Sequence, residues 1–368
     1  MKQVFRSVLP MSTTFQALQP GTGPVRSATY LPATSDTVLW GRLPSRTDAP
    51  ALSVAPGTEV TFDTISHEGI LEDQGRDPEA FFAGHGAEVV LEDAIALAAS
   101  PYERTFGVDG PHVVSRPVRV EGAEPGDLLA MTVVETLPRV PYGVISNRHA
   151  KGALAGEYPL GGEPVHSVFA TVSDDGGRGL LPLVEGGERS VRFPLRPFLG
   201  IMGVAVDDDE RPHSVPPGAH GGNIDINLLT VGATLYLPVQ VAGALAYVGD
   251  PHFAQGDGEV SLTAMEASLR ATVRLDVIPR EDAVRRFGEL AGPLAETVDH
   301  LVPTGMDEDL DVAVQNCVRA AIALLQARYG MDPRLAYAYL SAATDFDISQ
   351  VVDVVKGVHA RIRKADFA

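Results

Sequence analysis

The densest run of residues able to do chemistry is Gly249-Asp250-Pro251-His252-Phe253-Ala254-Gln255-Gly256-Asp257-Gly258-Glu259, which joins two apolar, strand-like segments. Pro251 biases Asp250 toward an extended backbone, where residues two apart share a face, so Asp250 and His252 point together, as do Asp257 and Glu259. Gly256 and Gly258 permit a turn that folds one pair toward the other. Carboxylates and an imidazole crowded into so small a volume are most simply held by a divalent cation. A solvated acidic hairpin, with glycines that merely turn the chain, is the alternative for this segment taken alone.

A second stretch, Pro217-Gly218-Ala219-His220-Gly221-Gly222-Asn223-Ile224-Asp225, adds Asn223 and Asp225 on one strand face. Gly221 and Gly222 leave their backbone N–H groups unshielded, which suits a carbonyl oxygen gaining negative charge. His112 in Gly110-Pro111-His112 and His67 in Ser66-His67-Glu68-Gly69 are further candidates, against a reading as surface or hydrogen-bonded core histidines; His149 is a weaker one.

These segments must be positioned by a mostly β (α+β) framework. The chain carries 37 Gly and 28 Pro, and short apolar runs lie between them, the pattern of sandwich- or barrel-like β subdomains. Strands are expected at Glu59–Ile65, Val118–Glu121, Leu128–Thr136, Ser167–Ser173, Ser190–Phe193, Thr234–Val241 and Ala244–Val248. The run Glu259–Ile278 ends in alternation, with Thr272, Arg274 and Asp276 on a wet face and Val273, Leu275 and Val277 buried. Helices are expected at Glu88–Ala99, Glu281–Leu290 and Asp307–Tyr329. Gly330 supplies a stop, Asp332-Pro333 a second start, and Asp347 with Gln350 a third. The organisation read from this is an irregular segment over 1–50, a β-rich catalytic body over 51–280, and a connecting segment with a helical C-terminal region over 281–368.

Of 368 residues, 48 are Asp or Glu and 29 are Lys or Arg, a net charge of −19. Such a surface repels phosphate backbones and anionic lipid, so nucleic-acid and membrane partners are not expected. The single cysteine, Cys317, rules out an intrachain disulfide, and its register with apolar helix positions makes it a buried thiol rather than a nucleophile. No apolar run is long enough to span a membrane. The segment Met1–Pro10 lacks a secretory core, and Met11 offers an alternative start, so a cytoplasmic location is expected. The lysines, Lys2, Lys151, Lys356 and Lys364, lie beside no Ser/Gly-rich stretch that a serine–lysine nucleophile would need.

From about Pro50 onward the chain resembles the acetamidase/formamidase family. The motifs are Gly110-Pro111-His112, Val120-Glu121-Gly122-Ala123-Glu124-Pro125-Gly126-Asp127-Leu128-Leu129, Gly200-Ile201-Met202-Gly203-Val204-Ala205, His220-Gly221-Gly222-Asn223-Ile224-Asp225, Leu235-Tyr236-Leu237-Pro238-Val239, Gly249-Asp250-Pro251-His252 and Gln255-Gly256-Asp257-Gly258-Glu259-Val260. The resemblance implies an amidohydrolase that converts a short-chain linear amide, of the formamide or acetamide type, to a carboxylic acid and ammonia. It also implies a bound divalent metal, zinc first and calcium second, and a homo-oligomer. Ser66-His67-Glu68 replaces the Asp-Ala or Asp-Cys pair of many members, and Glu72–Asp77 is an insertion; both leave the substrate open. On this basis Asp225 and His252, with His112 or Asp250, are the expected metal ligands. Glu259 is the expected acid/base group, with Asp257 beside it. Asn223 or the Gly221 and Gly222 amides are expected to receive the oxyanion, and His67 to line the substrate pocket. A non-catalytic β-sandwich binding protein braced by a metal is the competing class, and a hydrolase of a larger amide is a third reading.

Overall fold

The computed structural model describes residues 15–367; the opening segment with Met11 lies outside them. The fold is α+β and mostly β, built among the described residues around two large antiparallel-rich sheets. The first sheet runs Tyr30–Leu31, Thr58–Asp63, Leu269–Ile278, Leu128–Pro138, Thr234–Pro238, Leu294–Glu296, His300–Asp307, Lys356–Arg363 and Asp345–Gln350 in spatial order. The second runs from Ser190–Pro194 through Arg178–Pro182, Val165–Val172, Tyr142–Arg148, Met265–Glu266, Tyr247–Ala254 and Phe198–Gly203 to Gly221–Asn223. Val113–Ser115 joins this sheet on Tyr247–Ala254.

One core lies between the sheets. Leu129, Met131, Val133, Leu235, Val273 and Leu275 of the first meet Leu199, Met202 and Val248 of the second, all buried. Face-to-face sheet packing of this kind buries alternate residues of each strand, at about 1.5–3 kcal/mol for each fully buried large aliphatic side chain. The alternation expected near Ile278 holds at Arg274 and Asp276, which are exposed. It fails at Thr272, which is buried because its hydroxyl pairs with that of Thr61 at 2.8 Å on the neighbouring strand.

The expected run Glu259–Ile278 divides. Met265–Glu266 belongs to the second sheet and Leu269–Ile278 to the first. The chain crosses between sheets at Ala267 and Ser268, and this crossing carries Glu266 into the interior. The expected strand at Ala244–Val248 begins only at Tyr247, because Ala244 and Leu245 take positive φ of 57° and 55° in a turn.

Helix Leu310–Tyr329 is capped by Asp309, whose carboxylate accepts from the Asp311 and Val312 N–H groups, and it ends at Gly330 with φ 64°. Asp332 caps Pro333–Ala343 in the same way. Both helices pack on the outer face of the first sheet through Leu324, Leu325 and Leu340 against Leu301 and Ile362. Cys317 is buried there and its thiol donates to the Pro303 carbonyl oxygen at 3.3 Å. Gly305 makes this contact possible, since a Cβ on it would stand 2.2 Å from the Ala313 carbonyl oxygen. Shorter helices occupy Glu92–Ala99, inside the expected Glu88–Ala99, and Arg280–Phe287, which overlaps the expected Glu281–Leu290 but starts one residue earlier; Pro78–Gly84 is a further one.

The helix start expected at Asp347 is a strand instead. Asp345–Gln350 alternates Phe346 and Ile348 with Asp347 and Ser349, pairs with Lys356–Arg363, and closes the edge of the first sheet. Period-two alternation and the β-branched run that follows outweigh the two capping-type residues.

Candidate active site

The strand Tyr247–Ala254 carries Asp250 and His252 into a buried cluster of polar side chains beside the second sheet. They do converge, with His252 Nε2 3.0 Å from Asp250 Oδ2. The backbone reason differs from the expected one: Asp250 is not extended but has φ 50°. Asp225 and Glu259 share this left-handed conformation, with φ 47° and 45°. Non-glycine residues pay for that geometry in strain, and three carboxylates held so around one cavity mark a site whose geometry outranks local stability.

The loops near Gly221 and Gly256 meet. Gln255 Nε2 donates to the Asp225 carbonyl oxygen at 2.8 Å, and Asn227 Nδ2 donates to the Gln255 carbonyl oxygen at 3.1 Å. Asp225 Oδ1 therefore comes within 3.9 Å of His252 Nδ1. On the other side, His67 Nδ1 lies 3.4 Å from Asp250 Oδ1 and 3.9 Å from Glu266 Oε2. His112 Nε2 lies 3.9 Å from the same Asp250 oxygen, and its Nδ1 shares a hydrogen bond with Ser214 Oγ at 3.0 Å. Three overlapping sets of donor atoms result: His67, His112 and Asp250; Asp225, His252 and Glu259; Asp250, His252 and Glu266.

This donor set fits a divalent cation on three grounds. Both nitrogens of His252, His67 Nδ1, both oxygens of Asp225, Asp250 Oδ1, Glu259 Oε2 and Glu266 Oε2 are buried without a hydrogen-bond partner, a cost that proteins do not ordinarily leave uncompensated. His252 Nε2 stands 3.0 and 3.1 Å from carboxylates of Asp250 and Glu266 without hydrogen-bond alignment, as ligands of a shared ion would. Gly200 supplies the space: a Cβ there would sit 2.5 Å from Asp225 Oδ1, 2.6 Å from Asp250 Oδ2 and 2.6 Å from His252 Cε1.

Electrostatics follow the crowding. Burial, reinforced by the neighbouring acids, pushes the Asp225 and Glu259 carboxyls well above their usual range. Burial opposes the charged forms of Asp250 and His252 too, but each holds the other ionised. Burial likewise works against a charged His67, yet Asp250 and Glu68 push it up to about 10. Burial lowers His112 to about 3. Glu68 is itself anchored by Arg148 at 2.9 Å, which also grips Asp73 at 2.6 Å. The inserted segment thus braces the wall behind His67.

Not every expected residue takes the place assigned to it. His67 stands among the candidate ligands rather than along a substrate wall. Asp257 is exposed and turned out of the cavity, accepting from Asn227 Nδ2 at 3.0 Å, because Glu259 follows it through Gly258 at φ 101° and the two no longer share a face. The Gly221 N–H is committed to the Gly218 carbonyl oxygen at 3.0 Å, so it is no oxyanion donor. With Gly222 it lies in the strand Gly221–Asn223 against Phe198–Gly203. Asn223 is buried at the margin; its Nδ2 donates to Asp353 Oδ2 at 3.0 Å, and its Oδ1 has no partner.

Two acids escaped the sequence reading. Glu266 is buried between Met265 and Ala267, and its signal was a lone carboxylate inside an apolar run. Asp353 interrupts Val351-Val352-Asp353-Val354-Val355 in the same manner. It faces the cavity acids, and burial with the Asp250 charge raises it to about 8.

Residues 207–362 match the sequence model of the Acetamidase/Formamidase family. The chain is 28% identical to a formamidase of Methylophilus methylotrophus over 66% of this chain and 74% of that one. It is 26% identical to an acetamidase of Mycolicibacterium smegmatis over 63% and 73%. A crystal structure of an acetamidase from Bacillus halodurans superposes with a TM-score of 0.70 at 24% identity, covering 92% of this chain and 98% of that one, which establishes the shared fold.

Proposed function

Because residues 207–362 match the acetamidase/formamidase family model and the chain is similar to a formamidase and an acetamidase, we propose that it belongs to that family and is a metal-dependent amidohydrolase of small neutral amides whose reaction takes place around His252. The observation that carries the reading is the convergence of His67, His112, Asp225, Asp250, His252 and Glu266, all of which except His112 carry buried donor atoms without a hydrogen-bond partner. His67, His112 and Asp250 on one side, and Asp250, His252 and Glu266 on the other, would hold the cation, with Asp225 beside His252. Imidazole and carboxylate ligands suit zinc first. When bound, such a cation polarises the amide carbonyl and makes a water more acidic at neutral pH.

The chain's own groups account for the proton movements. Glu259 accepts a proton from the attacking water as its oxygen bonds to the carbonyl carbon. It then delivers that proton to the nitrogen as the C–N bond breaks, so ammonia leaves and the carboxylic acid remains. The upward push on Glu259 from burial suits the first of these steps, in which the carboxylate takes up a proton. Asn223, with one N–H on Asp353, keeps its second N–H for the oxygen that gains charge. Ser214 fixes the ring of His112 through Nδ1 and leaves Nε2 toward the cavity.

Glu259→Gln should keep its metal content and lose roughly 100-fold or more in turnover. Ammonia release from a panel of amides, with metal content measured in parallel, is the assay; turnover equal to wild type would remove Glu259 from the acid/base role. One feature favours a second reading of substrate size. A cavity of about 470 Å³ lined by Leu154, Tyr158, Leu160, His166 and Val260 opens at the residue next to Glu259, so the panel should include amides with bulky apolar acyl groups beside formamide and acetamide.

A further inference from the structure

A second group of metal-type donors lies away from this cavity. Asp257, Asp347 and His359 each present one donor atom within 4.8 Å of the others. Asp257 comes from the loop before Glu259; the other two come from the paired strands Asp345–Gln350 and Lys356–Arg363 at the edge of the first sheet. His359 has no solvent exposure, and its Nε2 has no hydrogen-bond partner. Its Nδ1 is fixed by Ser349 Oγ at 2.8 Å, which aims Nε2 at the Asp347 carboxylate, 3.9 Å away. Burial pushes His359 down to about 4.

We propose that Asp257, Asp347 and His359 form a second divalent-cation site that clamps the loop 255–259 onto the C-terminal hairpin. The supports are of the kind metal ligands have: Ser349 orients the imidazole, and Asn227 holds one Asp257 oxygen at 3.0 Å. One imidazole and two carboxylates form a three-ligand set of the zinc type, with a further position for water. Arg361 lies against Asp347: its Nη2 donates to Oδ1 at 3.5 Å, while its Nε, 2.7 Å from Oδ2, lacks hydrogen-bond alignment. Its side chain is 37% exposed, so a cation can displace it into solvent. The clamp has a position to act on. Gly258 N–H donates to the Ser349 carbonyl oxygen at 3.2 Å, and the Val351 N–H donates to the Gly258 carbonyl oxygen at 3.0 Å, so the hairpin already grips the residue before Glu259.

The test counts zinc. Chelator-stripped full-length wild type, Asp257→Asn and His359→Gln are dialysed against zinc salt alone, and bound zinc per chain is measured by mass spectrometry. Wild type should hold one equivalent more than either variant. It should also gain more on zinc addition in thermal melting than Asp257→Asn does. Equal zinc in wild type and Asp257→Asn overturns the proposal. Asp257 is exposed, so its variant decides the matter if His359→Gln fails to fold. The count is independent of amide turnover, so it fails or succeeds separately from the catalytic reading.

Discussion

Gly200→Ala puts the candidate site under a perturbation of known size. Gly200 has no positive φ, so the backbone accepts alanine there, and the whole effect comes from the added methyl group. That carbon would stand 2.5 Å from Asp225 Oδ1, 2.6 Å from Asp250 Oδ2 and 2.6 Å from His252 Cε1, where ordinary contact begins at 3.4 Å. The overlap is roughly 0.8–0.9 Å at three buried groups, against about ±0.2 Å of tolerance in metal–ligand distances. Overpacking of this kind costs about 1–3 kcal/mol of stability. Displaced ligands cost metal affinity by at least the roughly 10–100-fold seen when groups that merely support ligands are lost. Urea denaturation, zinc titration and amide turnover measure the three consequences. Gly57→Ala is the control: φ is 81° and nothing lies within 4 Å of the added carbon, so it should cost about 1–2 kcal/mol in backbone strain and leave metal and turnover alone. If Gly200→Ala binds zinc and hydrolyses amides like wild type, the three groups do not act together around Gly200, and the reasoning fails.

Glu296→Gln tests a structural ion cluster. Burial opposes ionisation of Glu296, but Lys364, Tyr236 and Arg286 hold its carboxyl below the ordinary value of 4.5. A depressed carboxyl stabilises the fold fully above that value and loses its contribution as pH falls through and below it. The stability gap between wild type and variant in urea should therefore be full near neutrality and close as pH drops below about 4.5; a gap constant with pH would refute this. Burial likewise pushes the Cys317 thiol up, so a disulfide reagent should label the native chain negligibly and the urea-unfolded chain at one site; rapid labelling of the native protein would contradict the packing described.

Much of this protein was legible in one dimension because local chemistry decides it. Asp309, Asp332 and Gly330 mark helix ends by groups that satisfy or free the neighbouring backbone, and those rules hold wherever the helix packs. The same is true of the clustering of Asp250 with His252 and of Asn223 with Asp225, since residue type and spacing announce donor atoms before any fold is known. What escaped was set by partners distant in the chain. Asp345–Gln350 is a strand because Lys356–Arg363 and the sheet edge receive it. Asp257 leaves the cavity and His67 enters it because left-handed turns and a sheet crossing redirect side chains in ways that parity along an extended chain cannot express. Sequence by itself determined which groups were available for chemistry. Only tertiary structure decided which of them face one another, because convergence in space depends on strand register and on the shape of turns between strands, and both are settled by packing across the whole core.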